Sequence, residues 1–340
     1  MMKQKKKHLW LKIPIIALLV LLLIFAALRC YFRLPVADYY AASQKSFMIP
    51  GTNDGFVAQG LEFDEADSRF LVTGYMKDGT ASPLYLVKPD ARHPEKTVYL
   101  AKSDGSPYSG HAGGLSLYNG LIYVADGSEL GLYVYDYKSI IEADNDASVS
   151  AIGFFPTHTS DDSFIKPSFT AVYDGYLFVG EFFRDVDYPT PDEHKLITKN
   201  GDYQQALGVF YAFDHQCEFG IDPEPVAVCS LPDQAQGICF NNEKIYVSTS
   251  WGVNKSHILV YDADAVVRQD DIMILGKKLP LYAFDSAALS ADKAIAPMSE
   301  ELIVVGDKLY VMCESASNKY VFGKFTSAQW CYATELNFFE

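Results

Sequence analysis

The amino-acid sequence predicts an all-β domain behind one membrane-spanning helix, on three observations. A strongly apolar N-terminal segment is followed by about 300 residues of ordinary globular composition. Within those residues, short apolar runs are joined by Asn-Gly and Asp-Gly turns, the strongest short-range signal of a β-hairpin. This pattern recurs five times along the chain, and no amphipathic helical period interrupts it.

Residues 9–28 form the predicted transmembrane segment, because twenty nearly uncharged residues span about 30 Å as a helix. Residues 1–8 contain four lysines and are predicted to be a short basic cytoplasmic tail, since positive charge favours that side of the membrane. Residues 29–44 are then a linker and residues 45–340 an extracytoplasmic domain. This predicts a single-pass protein of the cell membrane. The alternative is a cleaved secretory signal, although no small-residue cleavage site is evident after the apolar run.

The predicted extracytoplasmic part is strongly acidic. The first 33 residues hold seven basic residues and no acidic one, so the rest of the chain has a formal charge of −22, against −15 for the whole. This charge argues against nucleic acid or anionic lipid as a partner and favours cations, basic proteins or neutral sugars, unless it serves solubility alone. The six cysteines show no zinc-ligand spacing, and Cys239 and Cys313 lie in apolar runs typical of buried thiols.

The repeat predicts a β-propeller. Its five units begin at Gln59, Gly113, Ser168, Gln236 and Glu300. Each unit holds two hairpin strands, and most are followed by two further strands, so that four-stranded sheets recur every 54 to 68 residues. Residues 150–155 and 279–284 are among the predicted outer strands. A two-sheet sandwich, the competing fold, would not need such self-similarity.

The two ends of the domain are predicted to meet. The segment "KSFMIPG" (45–51) precedes the first unit as "KTVYLAK" precedes the second, and is predicted to complete the last blade and close the ring. We count five blades, with six as the alternative because the tail "WCYATELNFFE" is unassigned.

The hairpins "QGICFNNEKIYVSTSWG" and "HAGGLSLYNGLIYVADG" resemble the inner-strand hairpins of secreted bacterial propellers of the gluconolactonase and strictosidine-synthase-like type. The likeness covers residues 45–325 and implies their propeller fold. In the lactonase members it further implies a central metal, held by a Glu at the start of an early inner strand and by Asn and Asp from others. Here Gln59 stands at that early position, and the matching column contains neither Asn nor Asp.

The repeat alignment predicts a functional surface, because the start of each first strand and the end of each second strand open on one face of a propeller. The predicted ligand-binding residues at this channel mouth are Gln59, Tyr75, Ser168, Gln236 and Trp251. The candidate catalytic side chains are His111 and Glu300. The candidate metal ligands are Asp126, Glu181 and Glu314.

These residue types leave several chemistries open. A ring of carboxylates suits Ca²⁺ or another divalent cation, which prefers oxygen ligands, whereas one carboxylate with a raised pKa suits a general base. Acidic residues at strand ends also cap turns, and His111 would equally serve a structural hydrogen bond. Trp251 would either stack on a sugar or pack between blades.

The predicted function is that of a membrane-anchored propeller binding a glycan or a protein partner at the channel mouth. The sequence contains no G-x-S-x-G, phosphate-binding, dinucleotide-binding or H-E-x-x-H motif. The alternative is a divalent-metal-dependent hydrolase of lactones or other esters, with His111 or Glu300 as its base. The long polar insertion at 184–205 is predicted to be a lid or a contact loop.

Overall fold

Five sheets, each built on four antiparallel strands, form a closed ring in the computed structural model. The structure describes the backbone of residues 2–160 and 163–340, and the side chains of residues 12–160 and 163–340. The side chains of the predicted basic tail, residues 1–8, lie outside the described part. The inner strand of each blade contacts the inner strands of its two neighbours around a central channel. The predicted propeller with five blades is therefore confirmed, and the six-bladed alternative is not.

The blades follow one another in chain order, from inner to outer strand. Blade 1 consists of Phe56–Asp64, Arg69–Met76, Pro83–Val87 and Lys96–Ala101. Blade 2 consists of Leu115–Tyr118, Leu121–Asp126, Gly131–Asp136 and Gly153–Pro156. Blade 3 consists of Phe169–Tyr173, Tyr176–Gly180, Ala206–Phe213 and Ile221–Leu231. Blade 4 consists of Ala235–Asn241, Lys244–Thr249, Ser256–Asp262 and Leu289–Ile295, and blade 5 of Ser299–Val305, Lys308–Cys313, Trp330–Glu335 and Ser43–Met48.

The ring closes as the sequence predicts, since the N-terminal strand Ser43–Met48 is the outer strand of blade 5. It pairs antiparallel with Trp330–Glu335, which lies in the tail that the sequence left unassigned. The first and last strands of the propeller are thus hydrogen-bonded to each other. This closure leaves neither the first nor the last strand of the propeller unpaired.

The tight hairpin turns also follow the prediction. Asn119 and Gly120 both have positive φ, 48° and 79°, and Asp174 and Gly175 have φ of 45° and 81°. Two successive residues with positive φ define the type I′ turn that Asn-Gly and Asp-Gly favour. These turns lie on the face opposite the predicted mouth, which we call the far face.

Two outer strands differ from the prediction. Within the predicted strand 279–284, Leu281–Ala283 does not belong to blade 4 but adds a fifth, parallel strand to blade 3, and the outer strand of blade 4 is Leu289–Ile295. In the same way Ala147–Ser150 pairs in parallel with the outer strand of blade 1, so that the outer strand of blade 2 begins only at Gly153. In both cases the connection crosses to the preceding blade and covers an open sheet edge.

The apolar core lies between neighbouring blades. Five clusters of buried side chains fill the five spaces between adjacent sheets, and aromatic rings such as those of Phe47 and Phe70 pack within them, 4.8 Å apart. All six cysteines are free, and Cys239 and Cys313 are buried as predicted. The core therefore accounts for most of the Phe and Tyr content of the chain.

The chain begins with helix α1, Met2–Arg33, which is long and apolar enough to cross a membrane, and whose side chains from residue 12 to 27 are exposed. A 3₁₀ turn, Leu34–Val36, and a short helix α2, Ala37–Ala42, follow it. Val36 and Tyr39 are buried between blades 4 and 5, so part of the predicted linker packs on the propeller.

The connections between strands hold the remaining elements. They are helix α3, Tyr137–Glu142, and 3₁₀ turns at Asp192–His194, Ala263–Ala265, Glu314–Ala316, Gly323–Phe325 and Leu336–Phe338. Three short strand pairs, His158–Ser160 with Ser163–Phe164, Leu196–Ile197 with Tyr203–Gln204, and Ile272–Ile274 with Lys277–Leu279, lie in the longer insertions.

Candidate functional site

Three blades carry the same irregularity at the start of their inner strands. The strand register shifts at Gln59 in blade 1, at Gln236 in blade 4 and at Glu300 in blade 5. A β-bulge of this kind re-aims a side chain that would otherwise follow the alternation of the strand. All three side chains line the mouth of the channel, so the repeat alignment identified equivalent positions in space.

The channel mouth holds a cavity of about 440 Å³, within the usual range for small-molecule sites. Eight of the ten predicted site residues line it: Gln59, Tyr75, His111, Ser168, Gln236, Trp251, Glu300 and Glu314. Asp126 and Glu181 do not. We call this cavity the mouth pocket.

Two carboxyl groups lie on the blade 5 side of the pocket. Ser299 and Cys313 are cross-strand partners, which brings the following residues, Glu300 and Glu314, close together. Burial raises the pKa of Glu314 to about 7, and burial together with the charge of Glu314 raises the pKa of Glu300 well above its usual range. Burial thus favours the protonated form of both groups, and a protonated carboxyl group both donates and accepts hydrogen bonds.

Amide and hydroxyl groups surround the carboxyl pair. The Gln59 amide donates to a Glu314 oxygen at 3.1 Å, and the Gln236 amide lies 3.5 Å from a Glu300 oxygen and from the Ser250 hydroxyl. The floor of the pocket thus combines amide and hydroxyl groups with two carboxyl groups whose protonated form is favoured by burial. Such a floor suits a ligand that presents several hydroxyl groups.

Lys319 places a positive charge on the side of the pocket formed by blades 1 and 5. The Lys319 ammonium group donates to the Tyr75 hydroxyl and lies over the Tyr75 ring, 4.6 Å from its centre. The His111 ring packs edge-on against Tyr75, with 4.5 Å between ring centres. Removal from water by the pocket walls, together with the charge of Lys319, lowers the pKa of His111.

His111 stands at the pocket because glycines let two blades approach each other there. A Cβ on Gly113 would lie 2.5 Å from the Ser168 carbonyl oxygen, and one on Gly114 would lie 2.4 Å from the Thr170 nitrogen. Side chains at these positions would push the inner strands of blades 2 and 3 apart. This close approach brings the predicted residues His111 and Ser168 into the same pocket.

The opposite side of the pocket is aromatic. Trp251 packs with Phe182 and Tyr188, at 6.2 and 5.9 Å between ring centres, and the Arg184 guanidinium group lies 3.8 Å from the centre of the Trp251 ring. One face of Trp251 is therefore covered by Arg184. Tyr188 and Arg184 belong to the insertion at 184–205, so this segment contributes to the pocket rim.

The three predicted metal ligands are not brought together. Asp126 is buried and caps a turn by accepting from the backbone N–H groups of Ser128 and Glu129 at 2.7 and 2.9 Å. Glu181 is fully buried and accepts hydrogen bonds from two backbone N–H groups, while its carboxylate pairs with His194 at 2.9 Å. Among the described residues, no group of three or more His, Cys, Asp or Glu side chains is placed to hold a metal ion. The residues do not fit the predicted divalent-cation site, because two of its three ligands are engaged in structural hydrogen bonds.

Below the pocket, Glu301 occupies the channel. Its buried carboxylate accepts from the backbone N–H groups of Leu61 at 2.7 Å, Leu115 at 3.1 Å and Thr170 at 3.4 Å, one from each of blades 1, 2 and 3. A smaller cavity of about 130 Å³ lies beside Glu301 and Glu62, and burial raises the pKa of Glu62 to about 7. Glu301 ties four blades together.

Sequence analysis missed three contributors: Lys319, Tyr320 and Glu301. The first two lie in the connection at 314–329, of which the fifth repeat unit covers only the part up to Lys319, and its unusual length was the available signal. Glu301 directly follows the predicted Glu300, so its register on the inner strand placed it one step further into the channel.

Comparison with known proteins finds structural similarity but no matching family. No protein-family model and no curated protein matches the chain. Among solved structures, the glutaminyl cyclase of Myxococcus xanthus is similar with a TM-score of 0.44 and 10% identity, covering 86% of this chain and 94% of that one. A nidogen/laminin complex is similar with a TM-score of 0.36 and 11% identity, covering 76% and 73%. The strand order of the chain itself defines a five-bladed β-propeller, which lies behind an N-terminal apolar helix.

Proposed function

We propose that this protein is a membrane-anchored, extracytoplasmic propeller that binds a small neutral ligand rich in hydroxyl groups, such as a sugar, in the mouth pocket. The observation that carries the proposal is the convergence of Gln59, Gln236 and the Glu300–Glu314 pair, from three blades, on one cavity of about 440 Å³. A few convergent polar groups beside aromatic walls are typical of small-molecule sites.

The shape of the pocket favours a glycan over the alternative of a protein partner. A stable protein interface buries about 800 Å² on each side and is mostly flat, whereas these residues line a concave cavity. Aromatic rings and amides side by side would pack on the apolar face of a sugar and bond its hydroxyl groups. The acidic surface of the domain agrees with a ligand that carries no negative charge.

Binding of a panel of neutral monosaccharides and oligosaccharides to the full chain in detergent tests the proposal. Tyr188 and Tyr173 form a matched pair, because they are 39% and 37% exposed but lie on the mouth and on the far face. For any sugar that the wild-type protein binds, we expect Tyr188→Ala and Gln236→Ala to lower the affinity and Tyr173→Ala to leave it unchanged. Binding that survives the first two substitutions would place the site elsewhere.

A second candidate function is acid–base catalysis on an ester or lactone. The observation that favours it is a carboxyl group, Glu314, whose pKa of about 7 suits a general base, in the same pocket as His111. The candidate side chains Glu300 and His111 lie in the pocket, but the metal of the predicted hydrolase lacks a fitting ligand set. Hydrolysis of an ester panel that rises through pH 7 and is lost in Glu314→Gln would support this function. Activity equal in Glu314→Gln would contradict it.

A further inference from the structure

One loop joins the mouth pocket to the apolar helix. In the connection at 314–329, Glu314, Lys319 and Tyr320 line the pocket. The next two residues are apolar and exposed, Val321 by 82% and Phe322 by 48%. The side chains that line the pocket and those that point outward are therefore immediate neighbours in sequence.

The same loop packs against α1. The Phe325 ring meets the Phe25 ring edge-on, with 5.2 Å between centres, and the Arg29 guanidinium group donates to the Ser327 hydroxyl at 2.7 Å. Phe25 lies inside the apolar run of residues 9–28, three residues before its end. At 1.5 Å per residue, Phe25 is about 4.5 Å inside the end of that run. A ring that packs on Phe25 is therefore level with the boundary of the hydrocarbon layer.

The path of the chain also places the mouth face, rather than the far face, next to α1. From the loop at 314–329, which is on the mouth face, α1 leads to Val36 and Tyr39, buried between blades 4 and 5. The outer strand of blade 5 then starts at Ser43, opposite Thr334, and ends at Met48, opposite Trp330. Trp330 begins its strand on the mouth side, so Ser43 lies on the far face. The chain thus passes the mouth face first and reaches the far face afterwards.

The rim of the mouth carries further exposed apolar side chains. Val186 is 84% exposed in the loop between Arg184 and Tyr188, and Val253, two residues after Trp251, is 47% exposed. Apolar side chains exposed together around one opening are typical of a surface that meets an apolar partner. Because the loop at 314–329 on this same face packs against α1, the lipid surface is the apolar partner that the contacts favour.

We propose that the mouth face docks on the bilayer that holds α1, with Val321 and Phe322 in the interfacial layer, and that the mouth pocket takes the polar headgroup of a membrane-embedded molecule. The ligand class rests on the proposed function, and both parts rest on α1 remaining as the anchor. Apolar side chains in that layer are stabilised by burial among headgroups and acyl chains. A pocket beside them opens at the lipid–water boundary.

Depth-dependent fluorescence quenching of the full chain in phosphatidylcholine nanodiscs tests the docking. Cys30→Ser and Cys217→Ser remove the cysteines that are not buried. Val321→Cys then carries an environment-sensitive fluorophore, and Asp174→Cys, on an exposed far-face turn, carries the same fluorophore as the control. We expect lipids with a nitroxide high on the acyl chain to quench the label at 321 about threefold or more above the label at 174. Equal quenching at the two positions would overturn the docking.

A second variant tests the role of the rim, and an alkaline wash tests whether α1 anchors the chain in the bilayer. Phe322→Asp changes a side chain that is 48% exposed and is expected to reduce quenching at 321 toward the value at 174. Unchanged quenching would contradict the role of the rim. Loss of the chain from the discs in alkaline carbonate would overturn the anchor and the docking together. Neither readout depends on a ligand, so failure of sugar binding in detergent would count against the proposed function and not against the docking.

Discussion

Replacing Glu314 with glutamine is expected to change how the stability of the propeller depends on pH. Burial raises the pKa of Glu314 from 4.5 to about 7. One pKa unit corresponds to about 1.4 kcal/mol, so this shift corresponds to at most about 3.5 kcal/mol. The folded state binds the proton more tightly than the unfolded state does. The contribution is therefore fully present below about pH 4.5 and is lost as the pH rises through about 7.

Urea unfolding of the full chain in detergent at pH 5 and pH 8 measures this difference. We expect the wild-type protein to lose about 2 to 3 kcal/mol more than Glu314→Gln between these pH values. Removal of the like charge also lowers the pKa of Glu300, which flattens the profile of the variant further. Glu62, whose pKa is also raised to about 7, is present in both proteins and cancels in the comparison.

Glu142→Gln is the control, because Glu142 is exposed on α3, far from the pocket. It is expected to show the wild-type difference between pH 5 and pH 8. Equal pH dependence in Glu314→Gln and in the wild-type protein would refute the argument that burial holds a proton on this carboxyl group.

Three further changes have expected outcomes. Glu301→Ala leaves three buried backbone N–H groups without their acceptor, which costs about 1 to 3 kcal/mol for each group. Urea unfolding should therefore show a free energy of unfolding that is lower by at least about 3 kcal/mol. A decrease under about 1 kcal/mol would contradict the role given to Glu301 in the channel. Gly114→Ala places a Cβ 2.5 Å from the Phe169 Cα and should lower the free energy of unfolding by about 2 kcal/mol or more. Gly79→Ala, whose Cβ would have nothing within 4 Å but whose φ is 75°, should lower it by about 1 kcal/mol. The reverse order of stability in thermal melts would argue against close approach of the blades. For a sugar that binds the mouth pocket, Tyr188→Ala should raise the Kd about tenfold, while Tyr173→Ala should leave the Kd unchanged. Equal effects of the two substitutions in calorimetry would show that the sugar does not bind at the mouth.

The hairpin chemistry made the propeller predictable from the sequence. Asn119-Gly120 and Asp174-Gly175 fix the type I′ turns locally, and each pair of strands follows from its turn. The outer strands were harder, because Leu281–Ala283 and Leu289–Ile295 are both suitable edge strands for different blades. That choice depends on which sheet edge is open in the folded ring, which a local pattern does not contain.

The candidate site was predictable where the repeat governs it. Gln59, Gln236 and Glu300 lie at equivalent bulges, so alignment of the units was enough to bring them together. Asp126 and Glu181 also occupy equivalent strand ends, but their side chains turn toward backbone N–H groups and His194. The direction of a side chain at a strand end depends on the following loop, and the sequence pattern does not specify it.

A crystallographic screen of small polar fragments against the propeller tests the central claim, that the mouth pocket is the binding site, without knowledge of the natural ligand. The account predicts that fragments with several hydroxyl groups collect in the mouth pocket and contact Gln59, Gln236 and the Glu300–Glu314 pair. Fragments that collect instead beside Glu62 and Glu301 in the smaller cavity, with none in the mouth pocket, would contradict it.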